Sequence, residues 1–326
     1  MVVAQIGYNH LDPAAKIKCD ALIAVPLTFS SSASSNFVTA AVWADDFKSS
    51  LGTGNWHYLD LPFSLDGTPT NGVSAASFDV VQAINLSIAT LQNNSATASN
   101  QAVSLRYLLH FVGDIQQPLH CSTAVSATQT SGDAGGNGFS ITGTWNNLHS
   151  LWDAGGGFLT DSLPRPLSAA SQATLSNRVA SIESHFPYVT NSSTIPNPMT
   201  WAQDGLGLAQ TICYVGITRS AAPSASYLNT ATNTTEQLMA QGGHRLADLL
   251  NTLFAPNPIT LGSLKLTNGN FSFTWSATAG TTYHVQTKTN LASPSWSEIT
   301  NITATSNSVL FSEPSTQAQR FYRIAQ

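Results

Sequence analysis

Basic side chains are scarce in this chain. Twelve Lys and Arg stand against 17 Asp and Glu across 326 residues, a formal net charge of −5. That balance disfavours a protein that grips a long stretch of nucleic acid, because many phosphate contacts need a basic surface. Charge of either sign is thin, at 9% of residues against about a quarter in ordinary soluble domains. Ser, Thr, Asn, Ala and Gly take its place, a composition associated with secreted bacterial proteins. A positive field at any site would then have to come from bound metal ions. Long apolar runs are also missing, and none reaches the roughly 18 residues that cross a bilayer. Cysteine is nearly absent: Cys19, Cys121 and Cys213 allow at most one disulfide with one thiol left over, and their spacing fits no zinc knuckle. The opening "MVVAQIGYNHLDPAAK" lacks the charged segment and long apolar core of a signal peptide.

What is present divides in two. Helical periodicity runs to about residue 254, with candidate helices over 13–24, 35–49, 72–93, 98–113, 143–153, 166–185, 198–217 and 232–254. Asp12-Pro13 opens one of these, Pro166 to Ser168 another, and Asn233-Thr-Thr-Glu236 reads as a capping box. A Gly-rich segment, "SGDAGGNGFSITGTWNN" at 131–147, is long enough to be a functional loop. After "APNPITLG" the pattern alternates, as in "LKLTNGNFSFTWSA" and "TTYHVQTKTN", which predicts five to seven short strands in a β-sandwich. The boundary is expected near Pro256–Thr260, giving an α-helical domain over 1–256 and an accessory β-domain over 260–326.

Within the helical part, polar groups interrupt apolar helices at telling spacings. His110 and Asp114 are four apart, as are His149 and Asp153, and that spacing projects both side chains of a pair from one helix face. Two such pairs on facing helices are what a metal site between helices needs, and His120, just past "QQPL", adds a further ligand. "WADDFK" brings Asp45 and Lys48, and "WHYLD" brings His57, Tyr58 and Asp60. Any one of these alone reads as a satisfied core or surface pair. Together they point to a metal centre.

Read in order, W-A-D-x-x-K, W-H-Y-L-D, L-H-F-V-G-D-x-x-Q-P-L-H, G-G-N and N-L-H-S-L-W-D resemble the zinc-dependent single-strand-specific nucleases and 3′-nucleotidases. Those enzymes share a mostly helical fold with bacterial zinc phospholipases C. The resemblance covers about residues 1–254 and implies a mainly α, multi-helix zinc phospholipase C/nuclease-like bundle, followed by the small all-β module. It implies that Asp45, His57, His110 and Asp114 hold one zinc and that His120, His149 and Asp153 hold a second. Asp114 would bridge to a third zinc, whose other family ligands, an N-terminal Trp and a nearby His, are not in this sequence, so the chain reads as N-terminally shortened.

The resemblance further implies that Lys48 contacts the scissile phosphate, Asp60 orients it, Tyr58 stacks a base, and Asn137 with Gly136 meets the base edge. Asp45, with a second oxygen free, would orient or deprotonate the attacking water. The implied substrate is single-stranded DNA or RNA, cut to 5′-phosphorylated products, in a secreted or periplasmic bacterial setting with no obligate protein partner. Two alternatives stand: a zinc phospholipase C, which tends to have Glu where this chain has Asp153 and to lack the G-G-N loop, and a non-catalytic zinc-binding adhesion or scavenging protein. "YHVQTKTNLASPSWSEI" and "QRFYRIAQ" resemble fibronectin-like modules at the ends of secreted bacterial enzymes, with Trp275, Trp296, Phe321 and Tyr322 expected in its core.

Overall fold

A computed structural model describes residues 1–161, 163–189, 197–256, 258–315 and 319–326. Two compact units emerge, Met1–Ala255 and Pro256–Gln326. The expected boundary near Pro256–Thr260 includes position 257, which lies outside the described residues.

The first unit is helical, with α1 (Val2–Asn9), α2 (Pro13–Ile23), α3 (Phe37–Ala40), α4 (Trp43–Leu51), α5 (Val80–Gln92), α6 (Ala98–Asp114), α7 (Leu148–Asp153), α8 (Ala169–His185), α9 (Pro198–Leu208) and α10 (Ala225–Leu253). Strands β1 (Pro62–Ser64) and β2 (Thr123–Val125) pair in parallel beside them. At the centre is α6, capped by Thr97, whose side chain accepts from the Asn100 amide. Leu105, Leu108, Leu109, Phe111 and Val112 are fully or almost fully buried, and each such side chain contributes about 1.5–3 kcal/mol when removed from water. Pro118 cannot extend the helix, and Gln117 caps the following turn, Pro118–Cys121. This break turns His120 away from the axis that carries His110 and Asp114. α1 and α10 pack closely because Gly243 offers no side chain: a Cβ there would sit 2.4 Å from Ile6.

Several elements differ from the sequence expectation. The helix expected over 35–49 is broken into α3 and α4 at Ala41–Val42, and the break leaves the Ala41 carbonyl outside both helices. The helix expected from 72 begins at Val80, where Asp79 and Gln82 form a capping box. The helix expected over 143–153 starts at Leu148, under an Asn147 cap. Over 198–217 the α-helix ends at Leu208 and passes into a π-helical turn, Ala209–Cys213. Asn233-Thr-Thr-Glu236 is not a capping box; it lies inside α10, which Ser224 caps nine residues earlier. All three cysteines are buried and unpaired. Among the described residues no helix is long and apolar enough to cross a membrane.

The second unit holds β3 (Leu261–Thr267), β4 (Asn270–Ser276), β5 (Thr282–Lys288), β6 (Ser297–Thr303), β7 (Ser308–Pro314) and β8 (Phe321–Ala325). They form two three-stranded antiparallel sheets, ordered β3-β4-β7 and β6-β5-β8. Phe273, Trp275 and Phe311 of one sheet and Tyr283 and Val285 of the other share one apolar cluster, with Tyr322 packed against it. Trp296 and Phe321 depart from expectation, since both lie outside that cluster. Trp296 has Lys288 Nζ 4.6 Å and the Arg323 guanidinium 4.8 Å from its ring centre, a position stabilised by cation–π attraction.

Candidate metal centre

Four side chains from three separate elements converge at the C-terminal end of α6. His110 and Asp114 come from α6, Asp45 from α4, and His57 from the turn Gly54–His57. His57 Nδ1 lies 2.9 Å from Asp114 Oδ2 and 3.8 Å from Asp45 Oδ1. His110 Nε2 lies 3.1 Å from Asp114 Oδ2, 3.7 Å from Asp45 Oδ2 and 3.0 Å from His57 Nδ1. A zinc ion with bonds near 2.1 Å holds tetrahedral ligands about 3.4 Å apart. The donors of Asp45, His57 and His110 are close enough to close on one ion, and Asp114 Oδ2 lies against both imidazoles at 2.9 and 3.1 Å.

The tautomers suit the task. His110 Nδ1–H donates to the Ala41 carbonyl at 2.6 Å, which leaves Nε2 with its lone pair facing the cluster. The break between α3 and α4 is what makes that carbonyl available. Burial alone would push His110 down, but Asp114, Asp45 and the Ala41 carbonyl raise it above the usual imidazole range. Burial would push Asp114 up, and the charge and hydrogen bonds of His110 and His57 hold its carboxyl well below the usual range instead.

A second cluster lies beside the first. His120 Nε2 is 3.3 Å from Asp153 Oδ1, and His149 Nε2 is 3.4 Å from Asp153 Oδ2. The two imidazoles stack at 5.0 Å between ring centres, 9° from parallel. His149 Nδ1–H donates to the Gly135 carbonyl at 2.7 Å, again fixing which nitrogen is free. Gly135 holds a left-handed φ of +61°, and a Cβ there would sit 2.2 Å from the Leu119 carbonyl oxygen, so the site requires glycine. Buried His120 Nδ1 has no hydrogen-bond partner among the described residues and lies 4.0 Å from Asp114 Oδ1. Burial pushes Asp153 up, and His120, His149 and Gln117 together bring it below the usual carboxylate range.

Both clusters open into a cavity of about 600 Å³ lined by Asp45, Lys48, His57, Tyr58, Asp60, Asp114, His120, Asn137, His149 and Asp153, among others. Lys48 Nζ is 3.0 Å from Asp45 Oδ1. The Tyr58 ring is 39% exposed at the rim, open to a stacking partner. Asp60 is pushed up by burial and by Asp133. Asn137 donates from its side-chain amide to the Ala134 carbonyl at 2.8 Å, which aims it within its loop. Gly136 does not line the cavity; it is buried beneath, its amide donating to Asp133 Oδ1 at 3.0 Å.

The S1/P1 nuclease family model matches residues 1–255. The chain belongs to the S1/P1 nuclease family. Similar curated relatives include nuclease P1 of Penicillium citrinum, 27% identical over 77% of this chain and 94% of that one. Endonuclease 3 of Arabidopsis thaliana is 30% identical over 72% of this chain and 83% of its own length. Nuclease S1 of Aspergillus oryzae is 29% identical over 69% and 81%.

Sequence reasoning missed three supports of this S1/P1 nuclease site. Buried Asp133 accepts from the Ala124 and Gly136 amides and from the Tyr214 hydroxyl, at 3.0, 3.0 and 2.7 Å, and so shapes the Gly-rich loop. Gln117 Nε2 donates to Asp153 Oδ1 at 2.9 Å. Arg165 grips both oxygens of Asp46 at 2.7 and 2.8 Å, steadying α4 next to Asp45. A lone Asp among glycines was the only local signal for the first. The other two join positions 36 and 119 residues apart and carry none.

Proposed function

We propose that this chain is a zinc-dependent phosphodiesterase that cleaves single-stranded DNA or RNA to 5′-phosphorylated products, and that it also hydrolyses 3′-nucleotides. The observation that carries the reading is the convergence of Asp45, His57 and His110, with Asp114 against both imidazoles, next to a second His-His-Asp cluster in the same cavity. Asp45, His57, His110 and Asp114 would hold one zinc, and His120, His149 and Asp153 another. Zinc supplies Lewis-acid chemistry there, activating water near neutral pH and offsetting charge on phosphate and leaving oxygen.

The chain's own residues do the rest. Asp45 keeps a carboxylate oxygen in reach of Lys48, so the Nζ–H groups are held where an incoming phosphate can replace that contact and have its charge neutralised. Asp60, in the same lining, orients the phosphate through its carboxyl oxygens. Tyr58 offers a face to one base, which selects an unstacked strand over a duplex, and Asn137 presents its amide to the base edge, with Gly136 supporting that loop from below. A site that grips one nucleotide needs no basic groove, so a net charge of −5 is compatible with the substrate. The helical domain over 1–256 would carry the activity, and the β-sandwich over 260–326 would serve as an accessory module. A secreted or periplasmic bacterial setting is part of this reading, supported by composition and resemblance.

The test sets zinc-loaded protein against single-stranded DNA, a matched duplex, a 3′-nucleotide and phosphatidylcholine vesicles. Rapid cleavage of the single strand to 5′-phosphate ends, with the duplex spared, is expected. Hydrolysis of the lipid alone would replace the reading with a phospholipase, and bound zinc without any hydrolysis would replace it with a non-catalytic role.

A further inference from the structure

One cluster of metal-capable side chains lies away from the cleft. His10 caps the C-terminal end of α1, Glu183 sits in the last turn of α8, and His244 faces them from α10. A donor atom from each lies within 4.8 Å of the others, the same limit that encloses Asp45, His57 and His110 and encloses His120, His149 and Asp153. The cleft is at the other end of α1, where Met1 lines a cavity together with His110 and Asp114. Eight helical residues rise about 12 Å, which separates this cluster from the cleft.

Two of the three side chains pair with each other, and the third is left with an open donor atom. His10 Nε2 contacts Glu183 Oε1 in a short ion-pair geometry. Asn9 Nδ2 donates to the other oxygen, Oε2, at 3.4 Å, which fixes the carboxylate's orientation. The His10 ring stacks on Tyr188 at 4.1 Å and 19°, while His244 meets Tyr188 edge-on at 5.1 Å. Tyr188 is itself anchored by donating to Asp248 Oδ1 at 2.6 Å. Against this order one atom is anomalous: His244 Nε2 is buried and has no partner among the described residues, and a buried polar atom left unpaired costs about 1–3 kcal/mol. Burial, and then the neighbouring His10, hold His244 below the usual imidazole range, so at neutral pH the ring carries a free lone pair.

We propose that His10, Glu183 and His244 form a further divalent-metal site, of zinc class, that braces α1, α8 and α10 together and takes no part in the cleft chemistry. Two imidazoles and one carboxylate suit zinc, cobalt, nickel or copper over magnesium or calcium. The side chains of His10 and Glu183 are 26% and 21% exposed, so water completes the coordination. Donors within 4.8 Å need only draw in toward the tetrahedral edge of about 3.4 Å, a movement within reach of side-chain rotation. The ion would tie the C-terminal end of α1 to two helices far from it in sequence, which is the geometry of a structural clamp.

The inference is independent of the reading of the cleft, and its test reads metal rather than catalysis. The full chain is stripped with chelator, reloaded with zinc and desalted, and zinc per chain is counted by elemental mass spectrometry for wild type, His244→Gln and Glu183→Gln. Each variant is expected to hold one zinc fewer than wild type, with hydrolysis of single-stranded DNA unchanged. A second measurement needs no variant: in the wild-type protein, zinc should protect the partly exposed His10 from acylation by diethyl pyrocarbonate, mapped by peptide mass spectrometry. Equal zinc counts in wild type and variants, or labelling of His10 indifferent to zinc, would overturn the proposal.

Discussion

Asp114→Asn is the most informative single perturbation of the cleft, because the carboxylate of Asp114 touches both imidazoles of the first cluster. In the zinc-free protein it holds His57 Nδ1 at 2.9 Å and His110 Nε2 at 3.1 Å, with only 16% of its side chain exposed, so solvent screens little of the loss. Removing one partner of a buried charged pair costs about 3–5 kcal/mol. The Asn oxygen still accepts from one ring, which puts the expected cost near the low end, about 3 kcal/mol, or a fall in Tm of about 6–12 °C for a domain of this size.

The sign with pH follows from the shifts. His110 is raised in the fold, so its contribution is fully present below the unfolded value of about 6.5 and is lost as pH rises through the raised value. Asp114 is depressed, so its contribution is present above about 3.9 and is lost as pH falls through the depressed value. The penalty of the variant should therefore be larger at pH 6 than at pH 9. With zinc the variant should lose the ion of the first cluster. Groups that merely orient a ligand cost about 10–100-fold when removed, so loss of a ligand should cut hydrolysis of single-stranded DNA by at least the top of that range. Thermal melts with chelator at the two pH values, zinc counts and a fluorogenic DNA assay read all three effects. Wild-type zinc content with wild-type activity would refute the role of Asp114 as a ligand.

Other changes separate the parts of the site. Tyr58→Ala should raise KM for single-stranded DNA about 5- to 100-fold, from about 1–3 kcal/mol of lost stacking, with zinc content unaltered; a change in kcat alone would contradict a stacking role. Gln117→Ala should weaken zinc binding at His120, His149 and Asp153 by about 10–100-fold in a competitive chelator titration, leaving the first cluster's ion in place. In chelator the wild-type protein should lose stability from pH 6 to pH 9 as the raised His110 and His120 give up protons, whereas zinc-loaded protein should not, because zinc competes with those protons; parallel melting curves under both conditions would count against metal at these histidines. Finally, chelated protein should fail to bind single-stranded DNA at all in an anisotropy titration, and tight binding without metal would show that phosphate recognition lies elsewhere.

The parts of the site legible in the sequence were those with short-range spacing. His110 with Asp114, and His149 with Asp153, are set by helix geometry, and an i, i+4 pair faces one way wherever the helix lies. Asp45 and His57 were legible only through ordered motifs, because nothing local says that α4 and the turn Gly54–His57 meet at the end of α6. The break at Ala41–Val42 was not legible. "FVTAAVWADDF" has unbroken helical periodicity, and the reason to interrupt it is tertiary: the Ala41 carbonyl is needed by His110 Nδ1. Gly136 was singled out for its place in G-G-N, yet its contacts are with the buried Asp133 beneath the loop. The start of α10 misled in the opposite sense, since Asn233 and Glu236 mimic a cap, while Ser224 supplies the one that exists. The cluster of His10, Glu183 and His244 had no sequence signature, its members standing 173 and 61 residues apart.

The scarcity of basic residues and the nucleic-acid substrate proposed for the site are reconciled inside the cleft itself. Four carboxylates, Asp45, Asp60, Asp114 and Asp153, line the 600 Å³ cavity, and Lys48 is the one ammonium facing them among the described residues. Those carboxylates oppose entry of a phosphodiester, offset in part by the raised His110 and His120, and at an effective dielectric of about 20 each unit charge 4 Å away contributes about 4 kcal/mol. On the proposed reading two divalent cations would reverse the sign of that field, so the protein would need no standing positive charge and attraction for phosphate would depend on bound metal. An acidic surface with a metal-made positive centre would thus couple recognition of phosphate to competence for hydrolysis, which a basic groove would not.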